Sequence, residues 1–204
     1  MEKYCIKNPT FLNIIDKNTK NGISYGLTQE WYSDDYQVLA GCGATVATSI
    51  LIYYEQQENF KFLKVEDVLP KMEEFWKFLP PIKGKGINST ELFYNGVLKY
   101  FKDKGIEIKY SFIDVNVNNK ISLEKIIEYL KKEIGNDRPL AFLNLCNGEE
   151  QNLDKWHWVT AYEILEEEGA YFLNIFDDRE IKKINLSLWY NTITNNGGFV
   201  TFYF

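Results

Sequence analysis

The feature that most limits the fold of this chain is a change of character near residue 140. Beyond that point almost every apolar run is short, rich in β-branched and aromatic residues, and bounded by turn residues. The pattern predicts strands at 140–145, 157–165, 171–176, 180–184 and 199–204, with a short helix at 187–191. Before it, helices dominate. Val46, Ala47, Ile50, Leu51 and Tyr54 recur at spacings of three and four, which marks a largely buried helix over 44–56. Further helices are predicted over 65–78, ended by Pro80-Pro81, over 88–103 with Asn88 and Glu91 as a capping box, and over 122–134. A strand is predicted over 106–113 and a short one near 23–27, within an otherwise irregular first 30 residues. Helices first and strands last indicate an α+β fold, with an antiparallel sheet packed on helices. The 204 residues carry no repeat, low-complexity tract or flexible linker, so one domain over 1–204 is expected.

Two short sequences within this frame carry chemistry. The first is Gly41-Cys42-Gly43, which opens the buried helix. A thiol in the first turn of a helix meets unpaired backbone N–H groups and the positive end of the dipole, which favour the thiolate. The same N–H groups can receive a developing oxyanion. Gly41 and Gly43, lacking Cβ, would let a substrate backbone approach the sulfur. Cys146 follows a strand and precedes Asn147-Gly148, and Cys5 lies in the N-terminal arm. Neither begins a helix, and both read as structural or incidental.

The second sequence is Trp156-His157-Trp158-Val159-Thr160, where an aromatic strand begins. His157 is the single histidine, so a thiol–imidazole mechanism must use it. A base at the tip of a strand is held in place. Its partner on the other ring nitrogen should come from the next strand, which ends in Asp177-Asp178. Strand alternation puts Tyr171, Leu173, Ile175 and Asp177 on one face, which favours Asp177 over Asn174 and Asp178. Trp156 and Trp158 flank the base and read as core or as the wall of a cleft.

Other chemistries find little support. A net charge of −6 leaves no basic stripe for nucleic acid and none for an anionic membrane surface. Three cysteines and one histidine, with no CxxC pair, give neither a disulfide framework nor a zinc set. No cofactor is implied. Residues 1–13 lack the basic region and apolar run of a secretory signal, no stretch is long enough to span a bilayer, and the expected location is the cytoplasm. Oligomeric state is not readable.

Laid out in this order, the chain resembles the papain-like clan of cysteine peptidases, and most closely the bacterial C39-like peptidases. In that group a Gly- or Asp-Cys-Gly opens the first core helix, a His-Trp/Phe-Val-Val/Thr opens a central strand, and an Asp ends the following strand. Gly41-Cys42-Gly43-Ala44, His157-Trp158-Val159-Thr160 and Phe176-Asp177-Asp178 match in order and rough spacing. The resemblance spans about residues 36–178. It implies a papain-like fold with N-terminal helices packed on a C-terminal antiparallel sheet, and hydrolysis of a peptide or related amide bond in a peptide or protein substrate. The roles it implies are Cys42 as nucleophile, His157 as base and Asp177 as its orienter. The group also carries a Gln shortly before the Cys whose amide helps hold the oxyanion, and Gln37 takes that part, five positions ahead where six is usual. Ala44 and Asp178 stand where many relatives carry Pro. The same site would also serve an acyltransferase, and a catalytically silent papain-like domain that binds a peptide or protein would share the fold.

Overall fold

The computed structural model describes residues 2–204, and Met1 lies outside them. In chain order the strands are β1 (Lys3–Cys5), β2 (Asn13–Ile15), β3 (Ile23–Tyr25), β4 (Leu63–Lys64), β5 (Lys109–Val115), β6 (Leu140–Asn144), β7 (His157–Glu167), β8 (Ala170–Asp177), β9 (Glu180–Asn185) and β10 (Gly197–Tyr203). The helices are α1 (Asp35–Ala40), α2 (Cys42–Glu58), α3 (Val65–Phe78), α4 (Thr90–Asp103), α5 (Leu123–Gly135) and α6 (Leu186–Thr192). Short 3-10 turns cover Pro9–Leu12 and Gln29–Trp31.

The main sheet runs β5-β10-β6-β7-β8-β9, with every neighbouring pair antiparallel. β1 adds to the far half of the long β7, beyond the reach of β6. A bulge in β7 between Ala161 and Glu163 shifts its register against β8, which bends the strand locally. β2, β3 and β4 form a small separate sheet.

β6 divides the core by alternation. Leu140 and Phe142 join one cluster while Ala141 and Leu143 join the other, and all four are buried. On the Ala141 side α2, α3 and α4 supply Ala47, Ile50, Phe75, Phe93, Val97 and Phe101 against Trp158, Val200 and Phe202. On the Phe142 side α5 supplies Ile126, Ile127, Leu130 and Ile134, and α6 supplies Trp189. Helices therefore cover both faces of the sheet. Amphipathic spacing tells that a helix packs on the sheet but not on which side. Each fully buried aliphatic or aromatic side chain here contributes about 1.5–3 kcal/mol.

Some boundaries differ from expectation. α4 is capped by Ser89, whose hydroxyl accepts from the Leu92 amide at 3.1 Å, and not by Asn88. β5 starts at Lys109, since Gly105 takes φ 70° and the next three residues leave the turn without a ladder partner. Among the described residues no helix is long and apolar enough to cross a membrane.

Candidate active site

α1 and α2 meet at Gly41, which caps both. α1 begins at Asp34, whose side chain accepts from the amides of Tyr36 and Gln37 at 2.9 and 3.0 Å. Cys42 is then the first residue of α2, a 17-residue helix buried for most of its length. The sulfur is partly exposed at the helix's positive end. The two flanking glycines have a different cause from the one expected. A Cβ on Gly41 would strike the Gln37 carbonyl oxygen and come within 2.5 Å of the Tyr32 ring. A Cβ on Gly43 would come within 2.6 Å of Ile87 Cδ1. Packing inside the protein demands the first, whereas at the second only the end of a flexible side chain would have to shift.

β7 begins at His157, which pairs with Asn144 of β6, and β8 joins the other side of the strand from Thr160 onward. β8 ends at Asp177, and the tight turn to β9 uses Asp178 and Arg179 at φ 48° and 66°. Two consecutive left-handed residues are the mark of a type I′ hairpin. The result is a close pair, with His157 Nε2 2.7 Å from Asp177 Oδ1. Asp177 is 5% exposed. Its other oxygen accepts from Lys182 Nζ at 2.7 Å. With Nε2 on Asp177, Nδ1 is the ring nitrogen left for the sulfur of Cys42. Burial of the imidazole works to lower its pKa. Hydrogen bonding to Asp177 and to Cys42, together with their charges, outweighs that and pushes it up to about 10. For Asp177 burial pulls upward, but His157 and Lys182 hold the carboxyl below its ordinary range.

The other two orienter candidates are engaged elsewhere. Asn174 donates to Glu163. Asp178 lies in the exposed turn, 3.4 Å from the Thr28 hydroxyl that donates to it.

Gln37 is engaged elsewhere. It is buried in α1, and its amide nitrogen donates to Glu73 Oε2 at 2.6 Å. A different glutamine is beside the site. Gln29 lines a polar cavity of about 160 Å³ together with Cys42, Thr45, His157 and Asp177. Its side-chain oxygen is buried and has no partner. The 3-10 turn that carries it is capped by Thr28 and tied to the β8–β9 turn. Trp31 Nε1 donates to Asp16 at 2.9 Å, Arg179 reaches the same carboxylate at 3.4 Å, and Arg179 Nη1 meets Glu30 at 2.8 Å. Sequence reading missed Gln29 because α1 separates it from Cys42 by 13 positions. The available signal was Thr28, a cap residue that follows a strand and precedes a glutamine.

A second, larger cavity of about 280 Å³ also opens on Cys42, and its lining is mostly apolar. Trp158, buried against Phe93 with its Nε1 donating to the Ile87 carbonyl at 2.7 Å, forms its floor. Trp156 forms part of its rim. The two tryptophans thus divide between core and cleft.

Cys146 is partly buried, with Sγ 3.3 Å from the Thr194 hydroxyl. Burial opposes ionisation there, but that hydroxyl and nearby backbone amides lower its pKa on balance. No histidine accompanies it, since His157 is the only one in the chain. Among the described residues no group of three or more His, Cys, Asp and Glu side chains gathers as metal ligands do.

Comparison with solved structures finds a likeness to UfSP from C. elegans, with a TM-score of 0.52 at 13% identity. The fold is papain-like. The match takes in 99% of this chain and 34% of UfSP, so the chain spans about a third of that protein's length. At this identity the likeness speaks for the fold alone. No protein-family model matches the chain, and no curated protein matches it.

Proposed function

We propose that the protein is a cysteine-dependent hydrolase of peptide or related amide bonds, with Cys42 as nucleophile, His157 as base and Asp177 as its orienter. The observation that carries this is the 2.7 Å contact of His157 Nε2 with a buried carboxylate, which leaves Nδ1 for a thiol at a helix start. An imidazole beside a thiol can take its proton and later return it to a leaving group. The papain-like fold and the resemblance to C39-like peptidases support the same reading.

The steps follow from the geometry. The thiolate attacks the carbonyl carbon, a C–S bond forms, and the carbonyl π pair moves to oxygen. The Cys42 backbone N–H and the Gln29 amide receive that oxyanion. Gln29 takes this part here in place of Gln37, because it lines the cavity that holds Cys42 and His157 while the Gln37 amide is bonded to Glu73. Its two amide ends exchange by a half rotation, which brings the NH₂ to the oxyanion. As the tetrahedral species collapses, the C–N bond breaks and His157 Nδ1 gives its proton to the departing nitrogen. Water then attacks the thioester and gives a proton back to Nδ1. The C–S bond breaks, and a carboxylic acid leaves with the thiolate restored.

The test is covalent labelling by a thiol-directed peptide electrophile, read by peptide mapping so that Cys42 is separated from Cys5 and Cys146. Wild type should label at Cys42, and Cys42→Ala and His157→Ala should each abolish it with the fold intact by circular dichroism. Equal labelling of Cys42→Ala would sink the assignment.

A further inference from the structure

β5 is an open edge of the main sheet. Each of its residues, Lys109–Val115, pairs with β10, and among the described residues no strand pairs with its other side. One hydrogen bond tells which backbone groups face outward. The Leu145 amide donates to the Asn196 carbonyl at 3.3 Å, so residue 196, and by alternation Gly198 and Val200, point toward β6. Phe199, Thr201 and Tyr203 then point toward β5, where they engage Ile113, Ser111 and Lys109. The N–H and C=O groups of Tyr110, Phe112 and Asp114 are therefore turned to the outside.

Edges of this kind are normally blunted by proline, a bulge or a central charge. β5 contains no proline, its register with β10 runs without a break, and its charged residues, Lys109 and Asp114, lie toward its two ends. Its middle is aromatic. Tyr110 is 40% exposed and Phe112 42% exposed. Tyr94 of α4 packs against both, with ring centroids 4.7 Å from Tyr110 and 5.1 Å from Phe112. The rings are thus held in place before any partner arrives, which leaves less side-chain freedom to lose on binding.

The strand is its own complement. Two copies laid antiparallel about a two-fold axis at Phe112 set Tyr110 opposite the second copy's Asp114, and Phe112 opposite its own counterpart. Every outward residue then meets another outward residue, and each such pair exchanges both backbone bonds. Moving the axis by one residue in either direction leaves an outward residue of β5 without a counterpart inside the strand. On the other face Lys109 falls opposite Val115 and Ser111 opposite Ile113, so no like charges meet. We propose that β5 is the interface at which two copies of this chain join edge to edge, extending the antiparallel sheet across a two-fold axis at Phe112. β10 and β6 separate this edge from β7, the strand that carries His157, so the pairing leaves the thiol site untouched.

The test is sedimentation equilibrium on the full chain from about 1 μM to about 1 mM. Amide exchange is followed over the same range by mass spectrometry with single-residue fragmentation. The amides of Tyr110, Phe112 and Asp114 should exchange slowly wherever the dimer is populated and fast where the monomer is. Those of Ser111 and Ile113, bonded to β10, should be slow in both. Phe112→Lys and Phe112→Glu each place like charges on the axis, and each alone should weaken association at least about tenfold. Mixed in equal amounts they should recover that factor by pairing with one another, a gain misfolding cannot imitate. Both variants should keep the wild-type rate of iodoacetamide labelling at Cys42. A chain monomeric throughout would overturn the interface. So would a dimer in which the amides of Tyr110, Phe112 and Asp114 stay as fast as in the monomer, or a Lys/Glu mixture no more associated than either variant alone.

Discussion

Lys182 and His157 share one carboxylate, with Lys182 Nζ 2.7 Å from Oδ2 of Asp177 and His157 Nε2 2.7 Å from Oδ1. The ammonium steadies the carboxylate but also repels an imidazolium on its far side. Asp154 and Asp178 offset part of its charge. Replacing Lys182 by Met removes the repulsion, so His157 should hold its proton to higher pH. The alkaline limb of kcat/KM for hydrolysis of a peptidyl amide, which needs His157 protonated to release the amine, should move up, by no more than about one pH unit because the carboxylate lies between the two cations. Lys182→Arg should restore the wild-type profile. A limb that stays in place or moves down would show that Lys182 acts only on packing.

Asp177→Asn keeps the shape and removes the charge. The imidazolium loses its partner, so the alkaline limb of the same profile should move to lower pH and hydrolysis at neutral pH should fall. Folding stability should respond with matching signs. The pKa of His157 is raised to about 10 from an ordinary 6.5, so its contribution is complete below about pH 6.5 and fades as pH rises toward 10. The Asp177 pKa is lowered, so its contribution is present above the ordinary carboxylate value and is lost as pH falls through the folded one. The difference in urea midpoint between wild type and Asp177→Asn should therefore be largest near neutrality and shrink at both ends. A difference that does not vary with pH would contradict this.

Gln29 and Gln37 make a clean pair of variants. A peptidyl aldehyde forms a hemithioacetal whose oxygen occupies the oxyanion position, whereas iodoacetamide develops no oxyanion. Gln29→Ala should weaken aldehyde binding at Cys42 strongly, by up to about 10²-fold, with a much smaller change in iodoacetamide rate. Gln37→Ala should leave aldehyde affinity close to wild type and cost about 1 kcal/mol in stability, through the lost bond to Glu73. If the two variants exchange these effects, Gln37 holds the oxyanion after all.

The contrast between these glutamines shows what a sequence of this kind makes legible. The places of Cys42, His157 and Asp177 were readable because each occupies the end of a regular element. A helix start, a strand start and the end of the next hairpin strand are all local patterns, and antiparallel pairing returns the third to the second. The α+β class was readable from the same periodicities. Gln29 was not, because its nearness to Cys42 depends on Asp16, Glu30 and Arg179 tying a 3-10 turn to the β8–β9 hairpin. The two that involve Arg179 join residues more than 140 positions apart. β1 and β2 escaped for a related reason: three-residue strands have no periodicity of their own and exist only through partners such as Ile164 and Leu63. The orientation of α5 across the sheet from α2 likewise depends on chain path and not on composition.

The glycines around Cys42 give the last expectation, and it differs between them. A methyl group on Gly41 meets the Gln37 carbonyl and the Tyr32 ring, one of them backbone and the other a buried side chain whose hydroxyl donates to the Met72 carbonyl. Neither can yield without moving the α1–α2 junction. A methyl group on Gly43 meets only the far end of Ile87, a flexible side chain. Overpacking of the first kind costs about 1–3 kcal/mol, and the second kind less. Gly41→Ala should thus lower the urea midpoint clearly and slow labelling at Cys42, since the sulfur hangs from the displaced junction. Gly43→Ala should lower both more mildly. Had substrate approach been the reason for both glycines, the two alanine variants would retain wild-type stability and lose only reactivity toward peptidyl electrophiles.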